Sequence, residues 1–294
     1  MSATQHAEES HTKNPERRGL RKGLYLIPSA FTAANIGMGY FAVMGALRGF
    51  QLIEGGTEIE LNRAAVHFDN AARAIGWAWV FDMLDGRIAR LTKTTTEIGV
   101  QLDSLADVLT FGIAPAVLVY SWGFGAALAD GSDALKLGWF LSFMFLICGA
   151  FRLARFNVQS TRPRVLAEGA AKVDKKNFVG LPIPMAGGLI AAIVHFAPQP
   201  LSRYGPELGA LYSGLMMGLV ALLAVLMVST VRYSSFKTVG TNSRSTRVAI
   251  LVAAAIGMLV WLYSRYVVLG LVTLYVLHGL VLRFASFFRF TRTK

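Results

Sequence analysis

About eight stretches of roughly 20 mostly apolar residues recur along this chain, and that is the length an α-helix needs to cross the hydrocarbon layer of a bilayer. They fall near residues 28–49, 65–84, 103–123, 137–156, 180–197, 208–231, 247–263 and 266–286. A chain of this kind must satisfy its backbone N–H and C=O groups internally, which leaves helices or a closed barrel. Alternation of apolar and polar residues at strand period is absent, so the sequence predicts an all-α integral membrane protein with about eight transmembrane helices. A mean hydropathy of +0.49 and only 16% charged residues exclude an ordinary soluble globule.

The formal net charge of +12 would suit a nucleic-acid binder, but its distribution points elsewhere. Basic residues collect before the first span (Arg17, Arg18, Arg21, Lys22), between the fourth and fifth (Arg162, Arg164, Lys172, Lys175, Lys176) and between the sixth and seventh (Arg232, Lys237, Arg244, Arg247). The alternate loops carry Glu54, Glu58, Glu60, Asp130 and Asp133. With eight spans every basic segment falls on one side, which the positive-inside rule makes cytoplasmic. The expected setting is the inner (cytoplasmic) membrane, multi-pass, with both termini in the cytoplasm and the bilayer, not nucleic acid, as partner. Residues 1–22 read as a disordered cytoplasmic tail, poor in aliphatic side chains. Residues 23–290 read as a single membrane-embedded domain, without repeats. Cys148, the one cysteine, lies in an apolar run and reads as a packing residue. His67, His195 and His278 have no partner at metal-ligand spacing and read as ordinary helix or loop residues.

Against this apolar background, the segment from Asp82 to Asp107 stands out. It has the form D-x2-D-G-x2-A-R-x8-G-x3-D-x3-D, built from Asp82, Asp85, Gly86, Ala89, Arg90, Gly99, Asp103 and Asp107. Acids at the rim of a hydrocarbon layer are costly and are functional candidates by default. Asp82 and Asp85 are i and i+3, and Asp103 and Asp107 are i and i+4, so each pair shares one helix face. Two such faces turned toward each other form an oxygen-only cage for a hard divalent cation, magnesium or manganese (Mg2+ or Mn2+). Two metals about 3.5–4 Å apart would suit a phosphoryl-type transfer at the membrane surface. Gly86 leaves room for a ligand at the backbone, and Arg90 offers a permanently charged fork for phosphate.

This pattern resembles, at every fixed position, the signature of the CDP-alcohol phosphotransferases. The resemblance implies that family's helical bundle, a CDP-linked lipid or alcohol as donor, a hydroxyl acceptor, release of CMP, and a homodimer. It also implies roles for individual residues. Asp82 and Asp103 match the ligands shared by both metals, and Asp85 matches a ligand to one of them. Asp107 matches the acid that contacts the second metal and acts as general base. Gly86, Arg90, Thr96 and Gly99 fall where the family holds the cytidine diphosphate. Ser29, Ala30, Phe31 and Thr32 fall in the family's P-N-x-x-T stretch, with Ser29 in place of the usual Asn, which leaves a backbone contact open there.

Three downstream segments bear on the acceptor: GAFRLARFNVQ (149–159), FVGLPIPMAGG (178–188) and STVRYSSFK (229–237). They look like the integral-membrane phosphatidylserine synthases of bacteria and archaea, as do two helices beyond the family's usual six. That likeness implies CDP-diacylglycerol and L-serine as substrates. Serine is zwitterionic, so its pocket needs a cation for the carboxylate and an acceptor for the ammonium. Arg152, Arg155 and Asn157 could supply donors to the carboxylate; headgroup anchoring is the competing role for the arginines. No residue stands out as the ammonium acceptor. Glycerol 3-phosphate, an inositol phosphate or choline are the alternative acceptors. A cation-coupled transporter would also place acids in spans, but inverted repeats and broken midplane helices, its usual companions, are not visible.

Overall fold

The structure is a computed structural model, and it describes residues 15–92, 97–161, 177–234 and 243–291. Its helices, in chain order, are α1 (Pro15–Ile53), α2 (Glu58–Thr92), a long rod α3 (Glu97–Ala127), α4 (Asp133–Thr161), α5 (Ile183–Phe196), α6 (Gly205–Val228) and α7 (Ser243–Thr291). The all-α reading holds with one addition. Two three-residue strands, β1 (Asn177–Val179) and β2 (Arg232–Ser234), pair antiparallel with Phe178 opposite Tyr233. The stretch expected as a tail is already helical from Pro15, and residues 1–14 lie outside the described part.

Five of these helices are long and apolar enough to cross a membrane: Ala30–Ile53, Glu97–Ala127, Asp133–Val158, Leu201–Val228 and Leu251–Val281. The protein is therefore a multi-pass membrane protein. Among the described residues the count by length and composition is five, against the eight expected. The second expected span lies in α2, which carries Asp69, Arg73, Asp82 and Asp85 along its 35 residues. The fifth is α5, apolar but only 14 residues long. The seventh and eighth form one helix, α7, whose non-helical residue Tyr263 (φ −133°, ψ 45°) falls where the two expected spans were divided.

Helices α1 and α2 pack along their length on small side chains, with Ala42 and Ala46 buried against Ala64, Phe68, Ala71 and Ile75. Small residues let helix backbones approach where lipid offers no hydrophobic drive to associate. The same device brings α5 onto α3. A Cβ on Gly187 would lie 2.7 Å from the Phe111 carbonyl oxygen and 2.9 Å from Pro115 Cγ, so only glycine fits. Pro184 sits in the first turn of α5, where the missing N–H has no helical partner to lose. Cys148 packs against the apolar core as a free thiol.

The last helix is fastened by a buried polar chain. His195, at the end of α5, bonds Asp69 of α2 through Nδ1 at 2.5 Å and Ser264 of α7 through Nε2 at 2.9 Å. Arg73 pairs with the other oxygen of Asp69 at 2.8 Å. Asp69, His195 and Ser264 are remote in sequence, so no local spacing announces them. We expect His195→Leu to lower stability by about 1–3 kcal/mol, because it strips a buried carboxylate of a partner. Adding Ser264→Ala should then cost less than it does in the wild type, since the two groups act as one unit. Thermal unfolding in detergent measures both, and strictly additive losses would show that the chain is not coupled.

Candidate active site

The end of α2 and the start of α3 carry the four motif acids, and the fold brings them together. Asp82, Asp85 and Asp103 each offer an oxygen, and those oxygens lie within 4.8 Å of one another. Asp107 lies one turn beyond Asp103 and is a hydrogen-bonding neighbour of Asp82. Two carboxylates share such a contact only with a proton or a cation between them. Asp85 is buried, and the Thr32 hydroxyl of α1 donates to its Oδ2 at 3.1 Å. Oδ1 of Asp103 and Oδ1 of Asp107 are buried without a protein hydrogen-bond partner. Buried anionic oxygens left this way are strongly destabilising unless a ligand satisfies them. An all-oxygen, all-carboxylate cluster is the donor set of a hard cation, so these residues can hold a metal ion.

Immediately after Asp107 the rod α3 loosens into a π turn, Val108–Ile113, where the Ala114 N–H reaches back to the Leu109 carbonyl. Such insertions in α-helices are frequent at functional sites. This turn packs against α1: Thr110, one turn past Asp107, donates its hydroxyl to the Asn35 carbonyl at 3.3 Å. Asn35 is itself one turn past Thr32 on the buried face of α1, fully buried, and both polar atoms of its side chain lack a hydrogen-bond partner.

The third side of the site comes from α4. The Arg152 guanidinium stands in electrostatic range of Asp107 and of Tyr275 on α7. Its Nε is buried without a hydrogen-bond partner. Asn157 donates to Ser104 Oγ at 2.8 Å, tying α4 to α3 beside Asp103. Arg155, on the same helix, is exposed.

The remaining residues singled out in the sequence divide by position. Phe31 leans on Phe81, with ring centroids 6.4 Å apart, next to the acids of α2. Ala30 is exposed near the described start of the first span. Gly86 follows Asp85 on α2, and Gly99 lies in the first turns of α3. Ser29 and Arg90 are helical, but their side chains lie outside the described residues, as does the whole of Thr96. Two residues were not picked out by sequence. Asn35 could have been, as a polar group in an apolar helix one turn from Thr32. Tyr275 left no local signal, since only the packing of α7 carries it to this end.

The three downstream segments also meet. A Cβ on Gly149 would lie 3.1 Å from Ile183 Cγ1 and 3.6 Å from Met227 Sδ. The Gly180 N–H donates to the Val231 carbonyl at 2.8 Å, continuing the β1–β2 pairing. Gly180 itself has φ +85°, a conformation that a side chain would strain.

The family model described as CDP-alcohol phosphatidyltransferase matches residues 25–231, and the chain belongs to that family. Among its relatives is the CDP-diacylglycerol–serine O-phosphatidyltransferase of Helicobacter pylori strain J99, 33% identical over 225 residues, covering 74% of this chain and 76% of that protein. A protein of the same name from Methanocaldococcus jannaschii is 35% identical over 158 residues, 53% of this chain and 60% of that one. The archaetidylserine synthase of Methanothermobacter thermautotrophicus is 29% identical over 219 residues, 74% of this chain and 73% of that one.

Proposed function

We propose that this protein is a CDP-diacylglycerol–serine O-phosphatidyltransferase, which moves a phosphatidyl group from CDP-diacylglycerol to L-serine and releases CMP. The observation that carries the chemistry is the cage of Asp82, Asp85 and Asp103 with the partnerless oxygens of Asp103 and Asp107 beside it. What favours serine is the convergence of the three downstream segments, together with the names of relatives aligned over three quarters of the chain.

In this reading Asp82, Asp85, Asp103 and Asp107 hold two divalent ions, Mg2+ or Mn2+. When bound, these would neutralise the pyrophosphate and stabilise the charge that develops on it. Gly86, Arg90, Thr96 and Gly99, with the stretch Ser29, Ala30, Phe31 and Thr32, hold the CDP moiety. Arg152, with Arg155 and Asn157 nearby on α4, binds the serine carboxylate. The serine hydroxyl attacks the phosphatidyl phosphorus, and its proton passes to Asp107. A new P–O bond to serine forms as the anhydride bond breaks, and CMP leaves with the bridging oxygen. The distribution of basic residues along the sequence supports a site on the cytoplasmic side of the inner membrane with both termini on that side, and the family resemblance supports a homodimer. Residues 23–290 act as one catalytic domain.

The acceptor is tested by CMP release from CDP-diacylglycerol with purified protein and serine, glycerol 3-phosphate, inositol phosphate or choline. Serine should give the fastest release. A clear preference for another acceptor would replace the serine assignment and leave the family membership untouched.

A further inference from the structure

A zwitterionic acceptor needs a group for its ammonium, and Arg152 addresses only its carboxylate. Among the described residues, Asn35 is the one buried amide side chain with neither polar atom paired. Asn35 is fully buried, and neither Oδ1 nor Nδ2 has a hydrogen-bond partner. A buried amide in that state is unusual, because native interiors pair such groups with protein, water or ligand. Its position links both halves of the acid site. One turn away on α1, Thr32 holds Asp85 at 3.1 Å. Its own carbonyl takes the hydroxyl of Thr110, one turn past Asp107, at 3.3 Å. Asn35 thus stands where α1 meets the π turn that follows the proposed base. An amide oxygen accepts a hydrogen bond from an ammonium without adding negative charge to a site already holding four carboxylates. The amide nitrogen donates, so one planar group can address an ammonium and an oxygen of the same small molecule.

We propose that Asn35 binds the α-ammonium of the amino-acid acceptor through Oδ1, and so makes the site read an amino acid rather than a simple hydroxy acid. This rests on the serine reading above.

The test uses the full-length protein in detergent with CDP-diacylglycerol, L-serine as acceptor and 3-hydroxypropionate, which lacks the ammonium, as competitor. Asn35→Leu should raise the KM for serine about 10- to 100-fold, the worth of one hydrogen bond to a charged group. The inhibition constant of 3-hydroxypropionate and the KM for CDP-diacylglycerol should hold within a factor of about two. Asn35→Asp keeps an acceptor oxygen and should keep the preference for serine, which leaves the idea testable if the leucine variant does not fold. An unchanged serine KM in Asn35→Leu overturns the proposal. So does a parallel loss of affinity for both acids, which would make Asn35 a packing residue, and so does loss of the preference in Asn35→Asp. A wild-type enzyme that does not use serine brings down the serine reading, and this proposal with it. A serine-using wild type with an indifferent Asn35 brings down this proposal alone.

Discussion

Asp107→Asn is expected to lower kcat by about 10²–10⁴, the usual share of general-base catalysis, while binding of CDP-diacylglycerol is retained. A serine hydroxyl is a weak nucleophile at neutral pH and needs a proton acceptor as it attacks phosphorus. Of the four acids, Asp107 lies outside the trio whose oxygens cluster within 4.8 Å, yet it is a hydrogen-bonding neighbour of Asp82. Its Oδ1 is buried with no protein partner, so one oxygen remains for an incoming hydroxyl. Arg152 stands in electrostatic range of Asp107, and in the proposed reading its charge holds the acceptor's carboxylate so that the hydroxyl meets that oxygen. Asparagine keeps the shape and one oxygen but cannot take the proton. Single-turnover and steady-state kinetics decide the matter. If Asp107→Asn loses donor binding and recovers its rate at high metal concentration, the residue is a ligand and another group takes the proton.

Asp82→Ala and Asp103→Ala should each remove nearly all activity, and each should weaken divalent-ion binding measured directly by calorimetry. The oxygens of these two residues and of Asp85 lie together, so deleting either opens the cage instead of trimming it. In the absence of metal the deletion relieves repulsion among the clustered carboxylates, so neither variant should lose stability on that account. Wild-type activity should vanish in excess chelator and return with Mg2+ or Mn2+. Full activity in chelator, or an Asp82→Ala protein that binds metal as the wild type does, would be incompatible with the carboxylate cage.

Much of this was legible in the sequence. The acids announced themselves because a carboxylate in an apolar chain is costly wherever it lies, and because i, i+3 and i, i+4 spacings decide which side chains share a helix face before any tertiary contact forms. The apolar runs were equally local, and so was the break between the last two of them, which coincides with the kink at Tyr263. Span counting was less secure in α2, where one helix serves both as packing partner of α1 and as carrier of Asp69, Arg73, Asp82 and Asp85. A helix half sheltered by neighbours can hold polar groups that a lipid-exposed helix could not.

Other features were decided between helices. His195 read as an ordinary helix residue, because its partners Asp69 and Ser264 are 126 and 69 positions away. Thr32 read only as part of a nucleotide stretch, and its bond to Asp85 exists because small residues let α1 and α2 close on each other. The meeting of Gly149, Ile183 and Met227 comes likewise from packing. The sequence by itself determined a helical membrane protein, the four acids and which of them share a face, because hydropathy and helical period act within one segment. Only the tertiary structure decided that Thr32 meets Asp85, that Thr110 meets Asn35, and that Arg152 stands in electrostatic range of both Asp107 and Tyr275, because these contacts join helices far apart in sequence and no local pattern encodes them.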